Sequence, residues 1–523
     1  MENKPKKKII WGLLLAILLA AFAVRSYNIS NLPSSIYPDE AQNGVDAQLA
    51  NSTGNYKLFY ETNNGREGLF INLQAMSIKY IGNTVFGLKF WSIIFGTLTV
   101  LGVFLLTSEL LQNQIAGLVG AYLIAFSYWA INFSRIGFRA IMLPFILSWA
   151  FYFMFKGLRT KKYSDFIIAG FIYGLGLHTY IAFRVSPLIL IVLFIILTIT
   201  KKDFIKNYWR QTLVFAVAMF IAAAPMLLDF FKWHPEHYAS RTSEISVLNP
   251  ETNKGHLIPT LARTFGLSLA KYNFWGDQNM RQNYPPYPIL NPLTGIAFLV
   301  GLIYITLQFF RLLWRRFRKG TRDTRLVLYT FLLAWFFVML IPEFLAAEGN
   351  PHALRSIGTL PVVMIISVIP FVWIFKHMHS FGKSYKIFIM SMLVTIFLFI
   401  GIFDTVKYFV FFAQSPKQHE AFQANLGEVS KFIRTLPSSE EKYIITGSME
   451  RLPIRFLNPD MPNLNYLYPG QANEIVPTDS KNFIMIFTGT EWDTINAQRD
   501  RFPNINFQEH RNSFGDTFYT LSY

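Results

Sequence analysis

Two adjacent carboxylates, Asp39 and Glu40, follow Tyr37-Pro38 shortly after the first long apolar run, residues 9–27. Neighbouring like charges disfavour each other and raise the proton affinity of at least one. A carboxyl tuned in that way is a better general base toward a hydroxyl. Since the chain has only just left the hydrocarbon, the pair is placed to meet a lipid-borne substrate at headgroup depth. Their plain structural role is to open a helix over Ala41 to Ala47, because acids favour a helix start.

The second chemical signal is cationic. The segment Asn132-Phe133-Ser134-Arg135-Ile136-Gly137-Phe138-Arg139 carries two arginines four apart. On a helix continued upward both guanidinium groups share one face, and two such forks suit phosphate oxygens. Spacing does not choose between Arg135 and Arg139. Arg184 in His178-Thr179-Tyr180-Ile181-Ala182-Phe183-Arg184 and Arg355 in Asn350-Pro351-His352-Ala353-Leu354-Arg355 stand at the same predicted boundary. The plain role of each is interfacial snorkelling. His178, Tyr180 and His352 beside them, with Tyr37, are candidates for substrate contact. His234, Glu236 and His237 suggest a metal, but Pro235 and the lack of an i, i+4 pair argue against one. No metal or other cofactor is expected, and a divalent ion is not required.

These groups must be positioned by membrane helices. Of 523 residues 52% are hydrophobic and 17% aromatic, with 52 Phe and only 15% charged; mean hydropathy is +0.31. Soluble domains carry nearer a quarter charged residues, so the expected fold is mainly α and polytopic. Apolar runs able to cross about 30 Å of hydrocarbon are read at 9–27, 87–107, 115–131, 141–155, 166–180, 185–200, 213–231, 293–310, 326–341, 357–375 and 387–403, about eleven transmembrane helices.

The net charge of +17 is concentrated at 4–8, 156–162, 201–210, 311–325 and 376–386. With eleven spans these all face one side, as the positive-inside rule requires of cytoplasmic loops. The basic balance is therefore topological, and a basic face for nucleic acid is excluded. The first run lacks a small-residue cleavage site and reads as a retained signal anchor. Absence of cysteine rules out disulfides and thiolate metal sites.

With the amino terminus cytoplasmic, the outer connections are 28–86, 132–140, 232–291 and everything after Asp404. A membrane module is expected over 1–404 and a small extracytoplasmic α/β domain over 405–523. In that tail a helix over 417–436, strands at 443–446 and 483–487, a helix near 492–501 and a closing pair over 505–522 are expected, turned at Asn512-Ser513-Phe514-Gly515.

The succession of a first span, Tyr37-Pro38-Asp39-Glu40-Ala41, Gly65-Arg66-Glu67-Gly68-Leu69 and Ser134-Arg135-Ile136-Gly137-Phe138-Arg139 resembles the GT-C membrane glycosyltransferases. It is most similar to the protein O-mannosyltransferases and the lipid A aminoarabinose transferases. The likeness is carried by motif over about the first 200 residues and by architecture beyond.

The resemblance implies an enzyme of the plasma membrane that moves a sugar from a polyprenyl-phosphate carrier to a hydroxyl acceptor on the extracytoplasmic side, with inversion. It implies Asp39 as base beside Glu40, Arg135 or Arg139 toward the donor phosphate, and Arg66 and Glu67 near the substrate. The family's Lys-Pro-Pro-Leu appears here as Arg66-Glu67-Gly68-Leu69, and the further acid of the aminoarabinose transferases is missing beside Asn132. The alternative class is a transporter or lipid-linked sugar flippase. Transporters place ionisable groups near the bilayer midplane, whereas Asp229, Glu343 and Asp404 fall at span ends.

Overall fold

The computed structural model describes residues 7–239, 246–378, 381–477 and 482–523. The chain divides into two compact units. The first comprises Met1–Tyr27, Leu58–Phe70 and Ser92–Val410, the second Asn28–Lys57, Ile71–Trp91 and Phe411–Tyr523. Of the expected tail domain, residues 411–523 fall in the second unit together with parts of the first outer loop, including the acid pair, and 405–410 fall in the first.

Among the described residues nine helices are long and apolar enough to cross a membrane, and ten if one bent pair counts as a single span. The chain is a multi-pass membrane protein. The bent pair is α5 (Gln114–Phe126) and α6 (Tyr128–Ser134), which meet at 60°. Ten of the eleven expected spans are accounted for. The run over 166–180 is the exception: it forms α8 (Tyr163–Leu175), 13 residues, followed by a 3-10 turn at Gly176–His178. Thirteen residues rise only about 20 Å, short of about 30 Å of hydrocarbon. Composition marked the run as apolar, but the helix within it is short.

Helix α8 is nevertheless packed tightly. A Cβ on Gly170 or Gly174 would lie 2.2 Å from the carbonyl oxygen of Phe215 or Met219, both on α10 (Phe204–Leu228). Small residues let membrane helices approach this closely.

Two buried arginines close the break between α5 and α6. Arg25, near the end of α1 (Lys7–Ser26), donates from Nη1 to the Ala125 carbonyl (2.9 Å), from Nη2 to that of Ile124 (3.2 Å) and from Nε to Ser134 Oγ (3.1 Å). Arg135 returns the favour by donating from Nη1 to the carbonyls of Val24 (2.9 Å) and Arg25 (3.0 Å) at the end of α1. Helix ends leave carbonyls without intrahelical partners, and within a membrane these must be satisfied by protein.

In the second unit a five-stranded sheet runs β4-β3-β5-β7-β6. Strand β3 (Glu441–Ile445) is parallel to β4 (Leu464–Leu467) and β5 (Phe483–Phe487), and β7 (Thr517–Ser522) is antiparallel to β5 and to β6 (Asn506–Arg511). All five residues of β5 are buried, because both faces are covered. Phe483, Met485 and Phe487 pack with Ile495 and Tyr519, while Ile484 and Ile486 pack with Leu426, Val429 and Ile454. That is the period-2 alternation of a strand buried on two sides. The expected strands, closing hairpin and helix at Trp492–Arg501 are present. The helix expected over 417–436 is two, Pro416–Ala421 and Ala424–Ile433, interrupted at Gln423 with φ 48°. Helix Arg451–Leu457 and β4 add to what was expected.

Candidate functional site

The acid pair opens helix α2 (Pro38–Thr53). Tyr37 is extended at the N-cap, Pro38 takes the first helical position, where its fixed φ suits a helix start, and Gly54 ends the helix at φ 71°. The helix-opening role read from the sequence therefore operates, and both acids lie in its positive first turn. Their surroundings differ. Glu40 is fully buried, its Oε1 3.6 Å from the equally buried Lys89 Nζ, whereas Asp39 is half-buried. A buried carboxylate beside a buried ammonium is a fixed neutral pair, and a carboxylate that keeps contact with solvent can accept a proton from an incoming group. Glu40 is thus held beside Lys89, while Asp39 keeps some contact with solvent. Tyr37 is buried with its ring edge-on to Phe422 at 5.6 Å.

In the first unit the expected residues Glu67, Arg139, Arg184 and Tyr180 converge. Glu67 sits on β2 (Arg66–Glu67), paired antiparallel with β1 (Phe59–Tyr60) across a turn where Asn63, Asn64 and Gly65 all have positive φ. Its Oε2 accepts from Arg139 Nε at 2.7 Å, and its Oε1 lies 3.7 Å from Arg184 Nη2. Arg139 stands over the Tyr180 ring at 5.6 Å, and Arg184 over Phe230 at 4.7 Å and Tyr238 at 4.9 Å. Arg184 Nη1 also donates to the Tyr238 carbonyl at 2.7 Å. Two guanidinium groups share one carboxylate, so the cluster keeps one formal positive charge on groups held rigidly by aromatic faces.

Arg135 does not join them. Helix α6 ends at Ser134, Phe138 is extended, and Arg139 starts a short 3-10 turn, so the two arginines do not share a helical face. Arg135 is fully buried against Tyr408 and Phe409 and caps α1. These contacts are to the end of α1 and to the two rings, apart from the Glu67 cluster. Arg66 folds back on its own loop, donating from Nε to the Thr62 carbonyl at 3.1 Å, and His178 Nε2 is engaged with the Ala222 carbonyl at 2.9 Å.

Arg355 and His352 lie on a separate segment anchored by buried carboxylates. Glu343, ion-paired with Lys271, accepts the His352 backbone N–H at 2.9 Å, and Asp277 Oδ2 accepts that of Ala353 at 2.6 Å. Arg355 Nη1 donates to the Glu348 carbonyl at 2.5 Å. Burial pushes the Asp277 carboxyl up to about 7, against the backbone hydrogen bonds that lower it. Burial, helped by the charges of Arg355, Lys271 and Arg281, holds the His352 imidazole well below its ordinary value, so it is neutral at pH 7.

The groups able to hold a cation among the described residues are His234, Glu236 and His237, whose ligand atoms lie within 4.8 Å of one another. His237 Nδ1 is 2.9 Å from Asp229 Oδ2 and its Nε2 3.7 Å from Glu61 Oε1. The sequence reading missed the contributions of Asp229 and Glu61, which come from other elements. The span-end acid Asp404 accepts from Asn291 Nδ2 at 3.0 Å.

Residues 69–228 match the family model described as dolichyl-phosphate-mannose-protein mannosyltransferase. No curated protein matches the sequence. Among solved structures the chain is similar to ArnT from Cupriavidus metallidurans in the apo state (TM-score 0.56, 11% identity, 99% of this chain and 98% of that one). It matches the same protein bound to undecaprenyl phosphate with a TM-score of 0.55 at the same identity and coverage. It is also similar to the Archaeoglobus fulgidus oligosaccharyltransferase tethered with an acceptor peptide containing the NVT sequon (TM-score 0.50, 14% identity, 97% of this chain and 69% of that one). The chain thus shares its fold with these structures, and residues 69–228 carry the sequence signature of the mannosyltransferase model.

Proposed function

We propose that the chain is a membrane glycosyltransferase of the GT-C type that moves a sugar from a polyprenyl-phosphate carrier to a hydroxyl acceptor by a single inverting displacement. Asp39 accepts the proton of the acceptor hydroxyl as its oxygen attacks the anomeric carbon. The bond from that carbon to the phosphate oxygen breaks, and polyprenyl phosphate leaves. Arg139 and Arg184 bind the phosphate, with Glu67 fixing the angle between their forks. Preorganised cations aimed at developing charge are commonly the largest catalytic term. The observation that carries the reading is the Glu67 cluster, two guanidinium groups against one carboxylate. It is supported by the fold shared with a protein that binds undecaprenyl phosphate.

The amino terminus is assigned to the cytoplasm, and the loop bearing Asp39 and the C-terminal domain to the extracytoplasmic side of the plasma membrane. The basic segments 156–162 and 201–210 support this. They join α7 (Met142–Thr160) to α8 and α9 (Pro187–Thr200) to α10, so the positive-inside rule makes α8, short as it is, a crossing element. Purified protein is expected to release polyprenyl phosphate from a polyprenyl-phosphate sugar when given a hydroxyl acceptor. A flippase would leave that bond intact, and intact carrier across a panel of sugars and acceptors overturns the proposal.

A further inference from the structure

The helix carrying Asp39 packs against the C-terminal domain at Phe456. Gly44, Gln48 and Glu40 stand four residues apart along α2 and therefore share a face. Glu40 meets Lys89. Gly44 lies flat against Phe456, a fully buried residue of the helix Arg451–Leu457, so closely that a Cβ would fall 2.4 Å from its Cδ2 and 2.6 Å from its Cε2. Gln48 Nε2 donates to the Phe456 carbonyl at 3.0 Å, and Asn83 Nδ2 donates to the same oxygen at 2.9 Å. Gln48 also donates to Asn83 Oδ1 at 2.8 Å. Phe456 is the penultimate residue of its helix, where carbonyls lack intrahelical partners, and two side-chain amides from the first outer loop complete this one.

We infer that Gly44, Gln48 and Phe456 are positioning residues for Asp39, and that the C-terminal domain thereby helps to orient the base. The inference rests on Asp39 being the base. In a helix each residue turns about 100°, so Asp39 points off the face that holds Glu40, Gly44 and Gln48. Pinning that face sets the rotation of α2 about its axis, and this rotation sets the direction of the Asp39 carboxylate. Only glycine permits the approach at position 44, and the flat ring fills the space a side chain would take. Small displacements matter, since an error of about 1 Å in a reacting group can lower turnover about 10²-fold.

The test is a steric-compensation cycle in the full chain, in detergent, with undecaprenyl-phosphate mannose, glucose and aminoarabinose as probes. Gly44→Ala is expected to lower kcat by about tenfold or more with the donor KM within about twofold, because a displaced base slows chemistry without weakening phosphate binding. Gly44→Ala combined with Phe456→Ala is expected to recover to within about threefold of Phe456→Ala alone. Gln48→Leu, which leaves the packing intact, is expected to lower kcat with KM unchanged and serves where Gly44→Ala does not fold.

Unchanged turnover in Gly44→Ala, a loss confined to KM, or no recovery in the double variant overturns the inference. Asp39→Asn in parallel separates the two readings: if it retains turnover, the base assignment fails whatever the cycle reports. If the parent turns over none of the probes, the chain's lack of cysteine permits spin labels at Leu49→Cys and Met449→Cys. An unchanged distance between them in Gly44→Ala then sinks the positioning claim.

Discussion

Two buried carboxylates in this protein are paired with cations in opposite proportion. Glu40 meets Lys89, and both groups are fully buried. Glu67 meets two arginines, and one positive charge is left over. The first arrangement suits holding a helix and the second suits receiving an anion. On the proposed function Asp39 and not Glu40 is the base although the two are adjacent in the sequence, and Glu67, distant from Arg139 and Arg184 along the chain, meets both.

The comparison breaks most visibly at the acid pair. Asp39→Asn is expected to lower kcat about 10²- to 10⁴-fold with the thermal midpoint and donor KM nearly unchanged. Lys89→Met is expected to act on stability instead, by about 3–5 kcal/mol, because it strands a buried charge. Lys89→Met with Glu40→Leu should restore most of that in a denaturation series. If Lys89→Met leaves stability alone and abolishes turnover, the separation of the two acids is wrong.

At the arginine cluster, Arg139→Ala and Arg184→Ala are each expected to raise the donor KM about 10- to 100-fold, as loss of a charge-assisted hydrogen bond predicts. Arg139→Lys should recover little, since an ammonium lacks the planar fork. Donor KM values within twofold of the parent for both alanine variants would return the cluster to a structural role.

A pH-dependent effect concerns Asp277, a buried acid whose neighbour Lys271 is already paired with Glu343. Its carboxyl is raised to about 7 in the folded protein, chiefly by burial. The folded state therefore binds more protons than the unfolded state between about pH 4 and pH 7. Stability contributed by this group is full below about pH 4 and declines as pH rises to about 7, with a slope of at most about 1.4 kcal/mol per pH unit. Asp277→Asn should flatten that part of a stability profile. An unaltered profile would assign the slope to other groups.

Much of this was legible in advance for physical reasons. Hydropathy marks apolar runs, and helix-start chemistry at Pro38-Asp39-Glu40 identified α2 before any packing was known. Period-2 patterning found β3, β5 and the closing hairpin. Hydropathy is blind to where a run bends or stops, so neither the break at Ser127 nor the brevity of α8 was visible. Whether Arg135 and Arg139 share a helical face depended on whether α6 continues past Ser134, which residue types alone do not decide. Lys89 lies far from Glu40 along the chain, and only tertiary packing joins them. The hairpin that presents Glu67 did leave a trace, since Asn63-Asn64-Gly65 is suited to a turn with positive φ.

The reciprocal contacts of Arg25 and Arg135 bear on how the amino-terminal segment can be manipulated. Because Arg25 supplies donors to the Ile124 and Ala125 carbonyls, α1 is a structural strut as well as a membrane anchor. A chimera that replaces residues 7–26 with an unrelated leader of equal hydrophobicity would still insert, yet it would strip the hinge of α5 of its cap and leave the guanidinium of Arg135 facing a foreign helix end.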